Sequence, residues 1–167
     1  AGDDLGEIMR DRSQERGMTF LAGIRMNDRH RANPFLEKMF EAHPEWRLMG
    51  SGINYKYDGA REAVLAFIAE FLDRYDVAGI EFDYLRWGHG FDPAEAEGHA
   101  PLLTDFTRRA RALLDAAATK RGRKRLMLGV RVPQTLEECR ELGMDLGAWI
   151  KEGLVDYVSA TYFFYTD

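Results

Sequence analysis

Four short apolar runs recur along the chain with helical segments between them, and that alternation restricts the fold more than any other feature. The runs are Thr19 to Met26, Ala78 to Arg86, Leu126 to Val132 and Asp156 to about Phe164. Each has the length and composition of a strand. Between the first two, the spacing predicts a helix from Gly59 to Tyr75. Val64, Leu65, Phe67, Ile68, Phe71 and Leu72 share one face of it, and Arg61, Glu62, Glu70, Asp73 and Arg74 lie off that face. A second long helix is predicted from Pro101 to Lys120. A polar helix from Asp4 to Arg16 precedes the first strand and stops at Gly17. Shorter helices open at Asn33-Pro34, a favoured cap and first-turn pair, and near Asp145.

Strands separated by helices are the signature of parallel β/α units. The fold class expected is therefore α/β, with four consecutive units forming about half of a (β/α)8 TIM-type barrel. Residues 1–167 would be a single, truncated domain of it. A small open α/β sheet is the alternative. No glycine-rich turn of the dinucleotide-binding kind follows any strand. The chain starts at Ala1 and ends at Asp167 directly after a strand, so the expectation is a piece of something longer. Four parallel strands leave two open edges. The rest of the barrel is expected from missing sequence or from a second chain.

Composition narrows the partners. With 46% hydrophobic and 31% charged residues the chain is that of a globular protein. A net charge of -5 gives no footprint for nucleic acid. The densest basic cluster, Arg121, Arg123, Lys124 and Arg125, is read as a solvated helix end. One cysteine, Cys139, is too few for a disulfide framework or a cysteine-rich zinc site. No apolar run reaches the roughly 18 residues of a membrane span.

Side chains alternate across a strand. In the second strand Ile80, Phe82 and Tyr84 take one face, which should meet the helices, while Glu81 and Asp83 point into the barrel. The same parity places Gly23, Arg25 and Asn27 inside on the first strand, Gly129 and Arg131 on the third, and Ser159 and Thr161 on the fourth. Interior charges need partners, and Arg25, Glu81 and Arg131 are expected to form an ion-pair layer. Asp83 and Asn27 lie one step, about 6.6 Å, nearer the C-terminal strand ends, where barrels of this class build their active sites. Asp83 is thus the leading catalytic candidate, and Arg86 is placed to clamp its charge or bind an acidic sugar.

Loops at the same end add Asp28, His30, His43, Trp46, Tyr55 and Tyr57 after the first strand. Trp87, His89 and Phe91 follow the second, and Tyr162, Tyr165 and Asp167 the fourth. Aromatics beside carboxylates suit carbohydrate, whose apolar ring faces stack while its hydroxyls seek polar partners. Taken singly, each aromatic is more readily read as packing than as a sugar platform. The histidines lack metal-ligand spacing, so no metal or other cofactor is expected.

Several segments resemble a known group. "GIRMNDRH" at 23–30, "RYDVAGIEFDYLRW" at 74–87, "LGVRVPQTLEECRELGMDLGAWIKEGLVDYV" at 128–158 and the closing "TYFF" resemble the family-ten-like glycosyl hydrolases, bacterial (β/α)8 proteins. The resemblance implies that Asn27, Asp28, His30, Asp83, Arg86 and Arg131 line the pocket, and it favours an extracytoplasmic location. Ala78 departs from the group, which more usually has an aspartate before the glycine. The same strand also looks like the D-G-x-D-x-D-x-E strand of family-eighteen chitinases, with Leu85 in the place of the catalytic glutamic acid.

The function expected is glycoside hydrolysis of a poly- or oligosaccharide. That reaction needs two carboxyl groups across the bond: Asp83 as one, with Asp28 or Asp167 as its partner. Asn27, His30, Arg86, Arg131, Trp46, Trp87 and Tyr162 are the expected substrate-binding residues. Glu81 is a poor acid if two arginines lock it, because a general acid must hold its proton. A barrel that binds glycan without cleaving it is the alternative. A metal-dependent hydrolase using Asp28, His30 and Asp83 is a weaker one.

Overall fold

The computed structural model describes residues 4–27, 34–50 and 52–161. Asp4 caps the first helix, α1 (Leu5–Glu15), accepting from the Gly6 N–H at 2.9 Å. This helix buries none of its residues. Strand β1 (Leu21–Arg25) follows, then α2 (Pro34–Ala42) and a 3-10 turn, Pro44–Trp46. A small antiparallel hairpin, β2 (Arg47–Leu48) and β3 (Gly52–Ile53), comes next. The long helix α3 (Asp58–Arg74) leads to β4 (Gly79–Asp83), and a 3-10 turn, Glu97–His99, runs into α4 (Ala100–Lys120). The chain then forms β5 (Met127–Val132), α5 (Leu136–Glu141), α6 (Leu146–Lys151) and β6 (Tyr157–Ala160).

The main sheet is parallel throughout, in the order β1-β4-β5-β6. Spatial order equals chain order once the hairpin is set aside. Right-handed crossovers then put every covering helix on the same face. A sheet wound in one direction, with helices outside, is the wall of a TIM-type barrel rather than a doubly wound open sheet.

The outer face is the core. Ile80 and Phe82 of β4, and Leu128, Val130 and Val132 of β5, are wholly buried with Ile68 of α3, Phe106 and Leu114 of α4 and Trp149 of α6. Phe82 and Phe106 lie 5.8 Å apart, and the Trp149 indole donates to Thr104 at 3.0 Å. Burying an aromatic or aliphatic side chain of this size contributes about 1.5–3 kcal/mol, so the β4–β5 wall with α3 and α4 is the most stable part of the described chain.

Two expectations about charged side chains are corrected. Arg61 does not lie on a solvated face: it is buried at 7% exposure and donates to the carbonyls of Tyr55 at 2.6 Å and Lys56 at 3.0 Å. Phe67 is 45% exposed instead, because α3 packs through Ala60, Leu65, Ile68 and Leu72. The basic cluster is likewise no solvated helix end. Arg121 donates to the Leu72 and Tyr75 carbonyls that α3 leaves open. Arg123 bonds the Val77 carbonyl and Asp76, while Arg125 bonds Asp156 and the Gly153 carbonyl. These arginines stitch the ends of the helices to the start of the next strands.

Candidate functional site

The inner face carries the polar residues that alternation places there, but in a different layer. Gly23, Glu81, Gly129 and Tyr157 stand side by side, and Arg25, Asp83, Arg131 and Ser159 form the next level toward the C-terminal ends. The expected Arg25–Glu81–Arg131 layer is therefore one step out. Both arginines are level with Asp83, because alternation fixes which face a residue takes and leaves the stagger between strands open.

Asp83 is half-buried and tightly held. Arg131 donates to both its carboxylate oxygens, at 3.2 and 3.3 Å. The Leu85 N–H bonds one of those oxygens at 3.0 Å. That last bond is a side-chain turn at the point where β4 ends, at Asp83, short of the expected Arg86, although the Tyr84 N–H still donates to the Arg131 carbonyl at 3.1 Å. Arg86 follows half-buried, and Leu85 is buried at 9% exposure.

Glu81, one level deeper, is level with Gly23, Gly129 and Tyr157. The Ser159 hydroxyl lies 3.5 Å from it, and Tyr157 stands in the same layer two strands away. Burial first, and then the nearby Glu81 carboxylate, push the Tyr157 phenol up to about 12. The Tyr157 ring crosses directly over Gly129: a Cβ there would overlap the ring and its hydroxyl. Alternation alone puts Tyr157 inside, since it shares the parity of Ser159 and Thr161. It does not show that a glycine on the neighbouring strand opens the way to Glu81.

Asn27 sits above Arg25 and is buried at 4% exposure. Its amide donates to the carbonyls of Ile53 at 3.1 Å and His89 at 2.7 Å, and its oxygen accepts from the Ile53 N–H at 2.7 Å. The side chain expected to bind substrate thus pins the β2–β3 hairpin and the loop after β4 to the end of β1. Tyr55 adds a bond from its hydroxyl to the Met26 carbonyl at 2.7 Å. Neither the hairpin nor its anchor is legible in hydrophobic period.

The aromatics separate into two kinds. Trp46 is packed: His43 stacks on it at 3.8 Å between centroids, and it closes so tightly on Gly59 that no Cβ fits there. Trp87 is 41% exposed. It borders a shallow depression with Asn27, Leu48, Met49, Gly52 and His89. Asp28, His30, Tyr162 and Asp167 lie outside the described residues. Among the described residues no three His, Cys, Asp or Glu side chains converge to hold a metal ion, and no helix is long and apolar enough to cross a membrane.

No family model matches the chain, and no curated protein does. Solved structures do. A glycoside hydrolase family 18 N-acetylglucosaminidase from Paenibacillus barengoltzii is 15% identical, with a TM-score of 0.59 over 93% of this chain and 39% of its own. An immunomodulatory active chitinase from Trichuris suis is 16% identical, with a TM-score of 0.55 over 93% and 35%. The structure of YKL-39 in the presence of chitooligosaccharides gives 16% and 0.54, over 93% and 37%. The chain spans under two fifths of the length of each of these. Such likeness shows the fold, parallel β/α units of a TIM-type barrel. It does not extend to family ten: the neighbours are of the family-eighteen and chitinase-like kind.

Proposed function

We propose that this chain is the part of a carbohydrate-active barrel that carries one of its reactive carboxylates, and that the whole barrel hydrolyses O-glycosidic bonds of an oligo- or polysaccharide. The observation that carries the reading is Asp83 at the C-terminal end of β4, on the inner face, with Arg131 fixing its direction and balancing its charge. A carboxylate so held suits a stabiliser of the positive charge that develops at the sugar's anomeric carbon, or a nucleophile at it, more than a proton donor. The donor is then a second carboxyl group, and Asp28 and Asp167, which follow β1 and β6 in the sequence, are the candidates within it. Exposed Trp87 would offer a sugar ring its face, with Arg86 next to it in the chain, and His30 and Tyr162 are further candidate contacts within this sequence. The fold neighbours make a saccharide of the chitin type the first to try, an argument by analogy. The remaining strands come from further chain or a second copy.

One observation favours binding without cleavage: Leu85, buried, stands where the chitinase motif has its glutamic acid. Both readings are tested on the complete protein by release of reducing ends from chito-oligosaccharides and a panel of other polysaccharides. The Asp83→Asn variant keeps the acceptor for the Leu85 N–H, so it should fold. Hydrolysis by the wild type, with a loss of at least about a hundredfold in the variant, is expected. Full turnover by the variant overturns the assignment of Asp83. Saccharide binding with no product from either protein moves the function to the non-catalytic barrel.

A further inference from the structure

Trp87 stands in a short arch of chain, Leu85 to Gly90, that is held at both feet. At the first, the Leu85 N–H donates to the Asp83 carboxylate at 3.0 Å, and Tyr84 and Leu85 are buried. At the second, the Asn27 amide donates to the His89 carbonyl at 2.7 Å and the Tyr55 N–H to the Gly90 carbonyl at 2.8 Å, with Phe91 buried after them. Between the feet, Gly88 rests on Leu142: a Cβ at Gly88 would stand 2.8 Å from the Leu142 Cδ1. Leu142 is fixed in its turn. It follows the last residue of α5, where its N–H donates to the Glu138 and Cys139 carbonyls at 3.2 Å each, and its side chain packs against the core. Trp87, next to Gly88, is nonetheless exposed. An exposed indole on a backbone held at three points is a preset surface, and a ring ordered in advance costs its ligand less than one on a free loop.

From this geometry we infer that Leu142 is a positioning residue, which by packing against Gly88 sets the Trp87 indole as the platform for a saccharide ring. The inference rests on the carbohydrate reading for the ring that Trp87 meets, and on the structure alone for the support of Gly88 by Leu142. It gives the β5–α5 unit two duties at one site. Arg131 of β5 directs the Asp83 carboxylate, and Leu142 at the end of α5 sets the aromatic contact that follows Asp83 in the chain. Asp83 acts on the reacting bond and Trp87 on binding alone, so a loosened Leu142 costs affinity rather than rate.

Two measurements on the complete protein test it. In the first, fluorotryptophan labels Trp46, Trp87 and Trp149, and Trp87→Phe identifies the fluorine resonance of Trp87. Leu142→Ala should move or broaden that resonance and leave those of Trp46 and Trp149 in place, while Leu142→Met, which refills most of the volume, should restore it. Gly88→Ala, whose methyl pushes Leu142 aside, should move it as well. An unmoved Trp87 resonance in both Leu142→Ala and Gly88→Ala overturns the positioning role whatever the protein's activity. So does a Leu142→Ala spectrum in which Trp149 moves as far as Trp87, since that reports a loosened core. The second measurement follows turnover of chitotetraose, or of the best saccharide from the panel. Leu142→Ala should raise KM about three- to tenfold, the worth of one ring contact, with kcat unchanged. In a protein that binds without cleaving, Kd by calorimetry should rise by the same factor. A wild-type KM or Kd, or a fall in kcat at unchanged KM, overturns the platform. If the wild type takes no saccharide, the carbohydrate reading and the platform's ligand fall together, and the fluorine resonance still decides whether Leu142 positions Trp87.

Discussion

Arg131 of β5 and Asp83 of β4 stand level across two neighbouring parallel strands, with the guanidinium 3.2 Å from the carboxylate, and they are 30% and 16% exposed. At that depth the pair is neither a screened surface contact nor a fully desolvated one. It fixes the carboxylate's direction at the level where β4 ends, and nothing else on β5 could do so, because Val130 and Val132 face the helices.

Removing the guanidinium therefore has two separable effects. Arg131→Met keeps the aliphatic stem but leaves Asp83 with the Leu85 N–H as its described donor. The expected loss of stability is about 1–3 kcal/mol, read as a lower urea midpoint with an unchanged slope. Saccharide turnover should fall with it, and Arg131→Lys, a point charge without the two-pronged geometry, should recover only part. A variant with wild-type turnover would detach Arg131 from the site.

Asn27 is expected to act through the scaffold. Its three bonds to Ile53 and His89 are all to backbone groups. Asn27→Ala leaves them without that partner at a buried position, a cost of about 2–4 kcal/mol when the bonds are taken together. Asn27→Asp should fare no better, since a carboxylate cannot donate to two carbonyls. The diagnostic is local: amide exchange should speed up at Ile53 and along the hairpin before it does in β4 or β5. Uniform protection with weaker saccharide binding would instead make Asn27 a ligand contact.

What the sequence made legible follows from these cases. The alternation of Ile80, Phe82 and Tyr84 against Glu81 and Asp83 was enough to find the barrel wall and the face that carries chemistry, because burial enforces a period of two. The stagger between strands was not, since it depends on how Ala78 and Leu126 enter the sheet, and so Arg131 met Asp83 rather than Glu81. The β2–β3 hairpin is two residues per strand, too short for any period to register. Helix α5 is different. Thr135 and Glu138 form a capping box, with the Thr135 hydroxyl accepting from the Glu138 N–H at 3.1 Å. That signature stood in the sequence without a long apolar stripe beside it.

The packing of Trp46 on Gly59 sets two opposing magnitudes against each other. Near the start of α3, alanine in place of glycine would ordinarily stabilise the helix by up to about 1 kcal/mol. Here the new methyl meets the Trp46 ring, and overpacking of that kind costs about 1–3 kcal/mol. Gly59→Ala is thus expected to destabilise on balance, and Trp46→Ala to destabilise without a selective effect on saccharide affinity. A gain of stability in Gly59→Ala, or an intact fold with lost affinity in Trp46→Ala, would return Trp46 to the rim as a sugar platform.

Acid should release α1 before the rest. Asp4 caps that helix and also accepts from the Tyr75 hydroxyl at 2.8 Å and from Arg74 at 3.2 Å. The Tyr75 bond, opposed by partial burial and aided by the Gly6 and Glu7 N–H groups and Arg74, holds the Asp4 carboxyl below its usual value of 3.8. A carboxyl lowered in the folded state contributes stability above its unfolded value and loses it as pH falls through the folded one. The contribution is therefore whole at neutral pH and disappears below about pH 4. α1 buries no residue of its own, so little else restrains it. Exchange protection of its amides should collapse in that window while β4 and β5 stay protected, and Asp4→Asn should abolish the pH step. A loss of protection spread evenly over all the helices would show instead that acid acts on the whole fold.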